Sequence, residues 1–171
     1  QAELDLRDAH IQLESALAAG SIYTWRWDIS ADRMITSRGS AHLFGISSED
    51  AVNGLPLDQY LQAMHPDDRL TVSAAIERAV ATGEDYAAEF RIINADGQER
   101  WVIARGRVES NTDGQAIAFL GALADITTRK QVEAVLADQE ARLQGFVNSN
   151  IIGILQGDIH GNIYWANDAF L

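Results

Sequence analysis

The chain has 171 residues, 47% of them hydrophobic and 22% charged, with a formal net charge of −12 and no cysteine. The length suits one folded domain and part of another, and without cysteine there are no disulfides, cysteine-ligated zinc, iron–sulfur clusters or thiol nucleophile. The acidic balance repels phosphate backbones and disfavours nucleic acid as a partner, and no apolar run is long enough to span a membrane.

Residues 3–19 read as a helix, because Leu6, Ala9, Leu13 and Ala16 step by three and four along one stripe. Gly20 is the expected stop. Ser21 to Ile29 is aromatic and β-branched and predicts a strand, Ser30 to Arg33 a turn, and Arg33 to Ser37 the returning strand. Short helices are expected from Ser40 to Phe44, after the N-cap chemistry of Ser47 to Asp50, and from Leu57 to Met64. Pro66 then opens a longer amphipathic helix that runs to Gly83, with Asp67 and Asp68 favourably placed in its first turn. Tyr86 to Asn94, Glu99 to Ser110 and Gln115 to Ile126 read as a strand meander turned at Asp96-Gly97 and Asp113-Gly114. Strand runs flanking helices argue an α+β fold with an antiparallel sheet. A second heptad helix is expected from Thr128 to Asn148, through Val132, Leu136, Gln139, Leu143 and Phe146, and residues 151–166 read as two strands turning at His160-Gly161.

The chain also begins to repeat itself. Shifted by 130 positions without a gap, Gln1, Glu3, Leu6, Asp8, Leu13, Ile22, Asp28 and Ile29 fall on Gln131, Glu133, Leu136, Asp138, Leu143, Ile152, Asp158 and Ile159. A unit this long reads as a whole domain rather than a solenoid repeat. The expected division is a signalling helix over 1–20, a complete module over 21–127, a connecting helix over 128–148 and the truncated start of a second module over 149–171, in a piece of a longer protein. Two strands without their sheet cannot bury a core, so residues 151–171 are expected to be mobile, packed on a neighbour or exchanged with a second chain.

Four segments carry a family likeness. They are Trp25-Arg26-Trp27-Asp28-Ile29, His65-Pro66-Asp67-Asp68-Arg69, Glu89-Phe90-Arg91-Ile92 with Asp96-Gly97-Gln98-Glu99-Arg100-Trp101, and Asp125-Ile126-Thr127-Thr128-Arg129-Lys130. In this order and spacing the chain resembles a PAS domain with its PAC motif, of the PAS fold-3 type, and Asn162 to Phe170 resembles the start of another. The resemblance implies a five-stranded antiparallel sheet with short helices on one face, flanked by coiled-coil-like helices. It implies a non-catalytic sensory or dimerisation module of a bacterial, cytoplasmic signal-transduction protein, such as a two-component histidine kinase or a diguanylate cyclase. The absence of cysteine fits a reducing compartment.

Asp125, Ile126, Thr127 and Arg129 join the last strand to the heptad helix. They read as a helix N-cap worth about 1 kcal/mol, and the resemblance adds coupling of sheet to helix. Trp25, Trp27 and Trp101 read as core or dimer aromatics rather than cofactor-stacking groups. Leu6, Leu13, Leu136 and Leu143 are the expected dimer-helix positions, with Gln139 weakening the seam and so suiting a switch. No cofactor is expected. His65 and His42 are similarly weak haem-ligand candidates, disfavoured at His65 because Asp67 and Asp68 would crowd a propionate, and His10 and His160 read as surface residues. A cysteinyl–flavin adduct is excluded by composition. Arg91, Arg105 and Arg107 could meet an anionic ligand or pair with carboxylates. Adjacent carboxylates at Asp67-Asp68 and Glu49-Asp50 diverge on a helix and do not make a metal site. The expected partners are a second copy through the flanking helices, neighbouring modules and an output domain. The alternative reading is a receptor whose small-molecule pocket ligand is the signal.

Overall fold

The computed structural model describes residues 12, 13, 15–17, 19–148, 153 and 155–166. Leu6, His10 and the first turns of the N-terminal helix lie outside the described residues, as do parts of the 149–171 segment. Gln12, Leu13, Ser15, Ala16, Leu17 and Ala19 are helical. Gly20 closes this helix by donating to the carbonyls of Ala16 and Leu17. The left-handed residue is Ser21, at φ 53°, and not the glycine. Because Gly20 still bonds back into the last turn, the chain reverses one residue later than the glycine stop predicts.

The strands are β1 (Ile22–Asp28), β2 (Arg33–Thr36), β3 (Tyr86–Ile93), β4 (Glu99–Ser110), β5 (Ala116–Asp125), β6 (Leu155–Gly157) and β7 (Ile163–Ala166). The helices are α1 (Ala41–Phe44), α2 (Ser48–Asn53), α3 (Leu57–Gln62), α4 (Pro66–Thr82) and α5 (Thr127–Asn148), with a 3₁₀ turn at Arg38–Ser40. α3 ends at Gln62, two residues before the sequence expectation. Met64 leaves the helix to bridge Ile92 on β3. The Arg69 guanidinium meanwhile takes the carbonyls of Gln62 and Met64 at 2.8 and 3.0 Å.

The chain divides into two compact units, Gln1–Thr127 and Thr128–Leu171. In the first, a five-stranded sheet runs in the order β2-β1-β5-β4-β3, every neighbouring pair antiparallel. Leu43, Val72 and Ala79 from the helices and Met64 from the loop after α3 meet Phe90, Ile92, Val102, Phe119 and Leu123 from the sheet in one core. Burying such side chains is worth roughly 1.5–3 kcal/mol each. One row across the core face is Thr36, Trp25, Gly121, Gly106 and Tyr86. The two glycines leave a trough for the Trp25 indole. A Cβ on Gly106 would lie 2.5 Å from Trp25 Cη2, and one on Gly121 would lie 2.7 Å from Cζ2. Phe119 meets the faces of Trp25 and Tyr86 edge-on, at 5.0 and 5.5 Å.

In the second unit, α5 is exposed from Gln131 to Phe146. Its apolar stripe members Val132, Leu136 and Leu143 are each more than half exposed. Among the described residues, β6 and β7 pair only with each other.

Candidate functional site

Two features of the first unit carry chemistry: a cavity on the core face and a latch where β5 becomes α5.

The cavity is about 60 Å3, room for roughly four waters at about 15 Å3 each. Tyr23, Trp25 and Trp27 of β1, Met34 and Thr36 of β2, and Phe44, Leu57 and Tyr60 from the helices line it. Tyr86, Phe90, Phe119 and Leu123 line it from β3 and β5, and among the described residues no charged side chain lines it. Asp32, itself left-handed at φ 44°, fastens one side. Its Oδ1 accepts from Trp27 Nε1 at 3.0 Å and from the Leu57 amide at 3.2 Å, tying the β1–β2 turn to the start of α3. Burial pushes the Tyr86 phenol up to about 12. Burial also raises Tyr60, opposed by the neighbouring Thr36 hydroxyl, while the Tyr60 hydroxyl donates to the Met34 carbonyl at 3.2 Å. Two lining residues hold buried polar atoms without a partner in hydrogen-bond geometry: Trp25 Nε1 and Thr36 Oγ1.

The latch is built on Thr127. Its hydroxyl accepts from the Trp101 amide at 2.9 Å and lies 3.4 Å from the Trp101 carbonyl. The Ile126 amide donates to that same carbonyl at 2.8 Å. Asp125 Oδ1 accepts from the Thr127 amide at 2.8 Å, which satisfies one free donor at the helix start. The Asp125 amide in turn donates to the Ser21 carbonyl at 3.2 Å. The strand that leads out of the N-terminal helix and the strand that leads into α5 therefore meet at one end of the sheet. The Tyr23 phenol is raised by burial and, secondarily, by the Asp125 charge. Arg129 pairs with Glu133 at 3.3 Å one turn along α5.

A second anchor reaches the latch from α4. The Asp68 carboxylate accepts from Arg91 Nε at 3.0 Å, Nη2 at 2.6 Å and the Arg91 amide at 2.9 Å. The Arg91 hydrogen bonds hold the Asp68 carboxyl below the usual range. The Arg91 guanidinium lies 5.6 Å from the Trp101 ring centre, as expected of a cation over an aromatic face.

Trp25 and Trp27 sit in the cavity wall, whereas Trp101 belongs to the latch. Of the three arginines, Arg91 and Arg107 pair with Asp68 and Asp85, and none lines the cavity. His65 caps α4, its Nδ1 accepting from the Asp67 amide at 3.3 Å. His42 Nδ1 meets the Gly39 carbonyl at 2.6 Å. Haem and flavin can be weighed against this geometry. Neither histidine lines the cavity, and at its present size it takes a few atoms rather than a fused-ring cofactor, so the residues as placed do not fit either group. Among the described residues no group of His, Asp or Glu is arranged to hold a metal ion, and no helix is long and apolar enough to cross a membrane. Sequence reasoning missed the cavity's orphan atoms and the Asp32 fastening. Its available signal was Gly106 and Gly121 inside strands, since strand glycines mark close approach.

A family model described as the PAS fold matches residues 33–123. A blue-light-activated histidine kinase of Brucella anthropi is 29% identical over 123 residues, covering 72% of this chain and 24% of its own length. The chain thus spans about a quarter of that relative. The crystal structure of a sensory box histidine kinase/response regulator from Burkholderia thailandensis superposes with a TM-score of 0.65 and 25% identity, over 78% of this chain and 98% of that one. The N-terminal domain of a diguanylate cyclase with PAS/PAC sensor from Marinobacter aquaeolei shares the fold, with a TM-score of 0.58 and 19% identity over 64% of this chain and 98% of that one.

Proposed function

Because the chain belongs to the PAS family, whose sensor domains are generally non-catalytic, we propose that it is a sensory and dimerisation module of a cytoplasmic signalling protein. The module passes the state of its sheet through the flanking helices to an output domain of the histidine kinase or diguanylate cyclase kind. The observation that carries this reading is the Thr127 latch, which ties β4 to the first residue of α5 while Asp125 ties β5 to Ser21.

The exposed stripe of Val132, Leu136 and Leu143 is the surface for parallel pairing with the same helix of a second copy. Gln139 in that stripe lowers the stability of pairing and keeps two arrangements close in free energy. A ligand or partner that favours one sheet geometry would then bias the helix pair. The second reading, a receptor whose pocket ligand is itself the signal, is favoured by the two unpartnered polar atoms in the cavity wall.

Asp125→Ala in the parent protein tests the relay. Loss of signal response with an intact fold by circular dichroism is expected; a response unchanged in size would remove the relay. Light scattering of the chain tests the pairing, and a monomer at high concentration would count against it.

A further inference from the structure

We infer that the cavity is selective for a small uncharged molecule that presents one oxygen acceptor, such as a low-molecular-weight ketone or amide. The inference deepens the receptor reading and rests on it. Its basis is three features of the cavity wall. First, the indole N–H of Trp25 is buried and unpartnered, and the buried Thr36 hydroxyl, although it lies beside the Tyr60 phenol, has no partner in hydrogen-bond geometry. Thr36 is only 5% exposed, so solvent does not satisfy it. Buried polar groups are normally paired, and an indole N–H can only donate. Whatever completes the site must therefore bring an acceptor to Trp25, and Thr36 can donate to it or accept from it.

Second, among the described residues no charged side chain lines the cavity. An ion entering it would lose its hydration and gain no counter-charge, which excludes carboxylates, phosphates and ammonium groups as ligands. Third, the space is about 60 Å3, small enough to limit the ligand to a few non-hydrogen atoms unless Trp25 or Tyr60 moves. The remaining contacts are aromatic and aliphatic, from Phe44, Phe90 and Phe119 among others. Recognition thus comes from shape plus one directional acceptor.

The test uses the full chain labelled with ¹⁵N and three probes: cyclopentanone, cyclopentane and propionate. The readout is the indole N–H resonance of Trp25, assigned by its disappearance in Trp25→Phe. Cyclopentanone is expected to shift it saturably, and cyclopentane and propionate to leave it in place. Thr36→Val is expected to weaken cyclopentanone binding about 3- to 10-fold, the worth of one hydrogen bond, and Thr36→Ser to restore it. Thr36→Val keeps the shape of the side chain and removes a hydroxyl that has no partner in hydrogen-bond geometry, so the fold is expected to survive it. An equal response to cyclopentane, a stronger response to propionate, or no saturable response to any probe overturns the inference; the last result means that ordered water alone completes the site. The amides of Val132 to Leu136 separate this outcome from the relay. Saturable cyclopentanone binding that leaves those amides unmoved upholds the ligand class and overturns the relay instead.

Discussion

The molecule contains two versions of one hairpin. β1 and β2 pair Trp25 with Thr36 and Arg26 with Ile35. Moved on by 130 positions, these pairs become Leu155 with Ala166 and Gln156 with Trp165, which are the pairs that β6 and β7 form. The registers part only at Gly157, where β6 shifts by one residue. Both turns are organised by an aspartate. Asp28 Oδ1 accepts from the Ala31 amide at 3.0 Å, and Asp158 Oδ1 accepts from the His160 and Asn162 amides at 2.8 and 3.0 Å. The outcome of burial differs completely. Thr36 is 5% exposed, whereas Leu155, Tyr164 and Trp165 are 45%, 62% and 44% exposed. Local pattern and turn chemistry are enough to make a hairpin. A third strand and a helix layer are needed to give it a core.

The sharpest way to break this comparison is to delete a core contact on one side and an exposed one on the other. Phe119→Ala removes a ring that is 2% exposed and in edge-to-face contact with two others. It is expected to destabilise the first unit by about 3–5 kcal/mol in urea unfolding. Trp165→Ala is expected to move the same transition by less than about 0.5 kcal/mol. Comparable effects would mean that the second hairpin shares a core.

Alkaline titration probes burial by another route. The Tyr86 phenol is pushed from the ordinary 10.0 up to about 12 by burial. Its contribution is whole below the unfolded value and is lost as pH rises through the folded one. Stability should therefore fall by about 3 kcal/mol between those two values. Tyr86→Phe should flatten this decline, and an unchanged slope would contradict the assignment.

At the acid end the contrast is between a long-range carboxylate and a local one. Asp68 is held low by Arg91, twenty-three residues away in sequence. Its stabilisation is present above the ordinary carboxylate value near ~4 and lost as pH falls through the lower folded value. Asp68→Asn is expected to cost about 1–2 kcal/mol at neutral pH, with the gap from the native chain narrowing in acid. Asp158 is held low by the Asn162 side chain and by amides of its own turn. Asp158→Ala should leave the main unfolding transition in place.

These contrasts also mark how far the sequence could be read. The order of elements, the Ser47 cap, the helix start at Pro66 and the hairpin glycines were legible because each depends on residues close in the chain. Ser47 does accept from the Asp50 amide, at 3.0 Å. The Asp125-Ile126-Thr127 run was legible as a helix start, but its partner was not: Trp101 lies on another strand, and nothing in the run specifies the register that brings it within reach. Arg91 and Arg107 could be placed on strands, yet their carboxylates, on α4 and before β3, became known only from the packing. The cavity was the least legible feature. Its lining comes from β1, β2, the helices and β3 to β5, positions that no local pattern connects.

The most direct test of the account is native-state hydrogen exchange on Thr127→Val. The substitution removes the hydroxyl that holds the Trp101 amide and leaves the Asp125 contact to the backbone in place. The expected loss is about 1 kcal/mol. If the latch joins sheet to helix, the amides of Trp101 and of Val132 to Leu136 will exchange faster together. Faster exchange at Trp101 with those helix amides unchanged would show that the contact is only a local cap, and the relay would lose its physical basis.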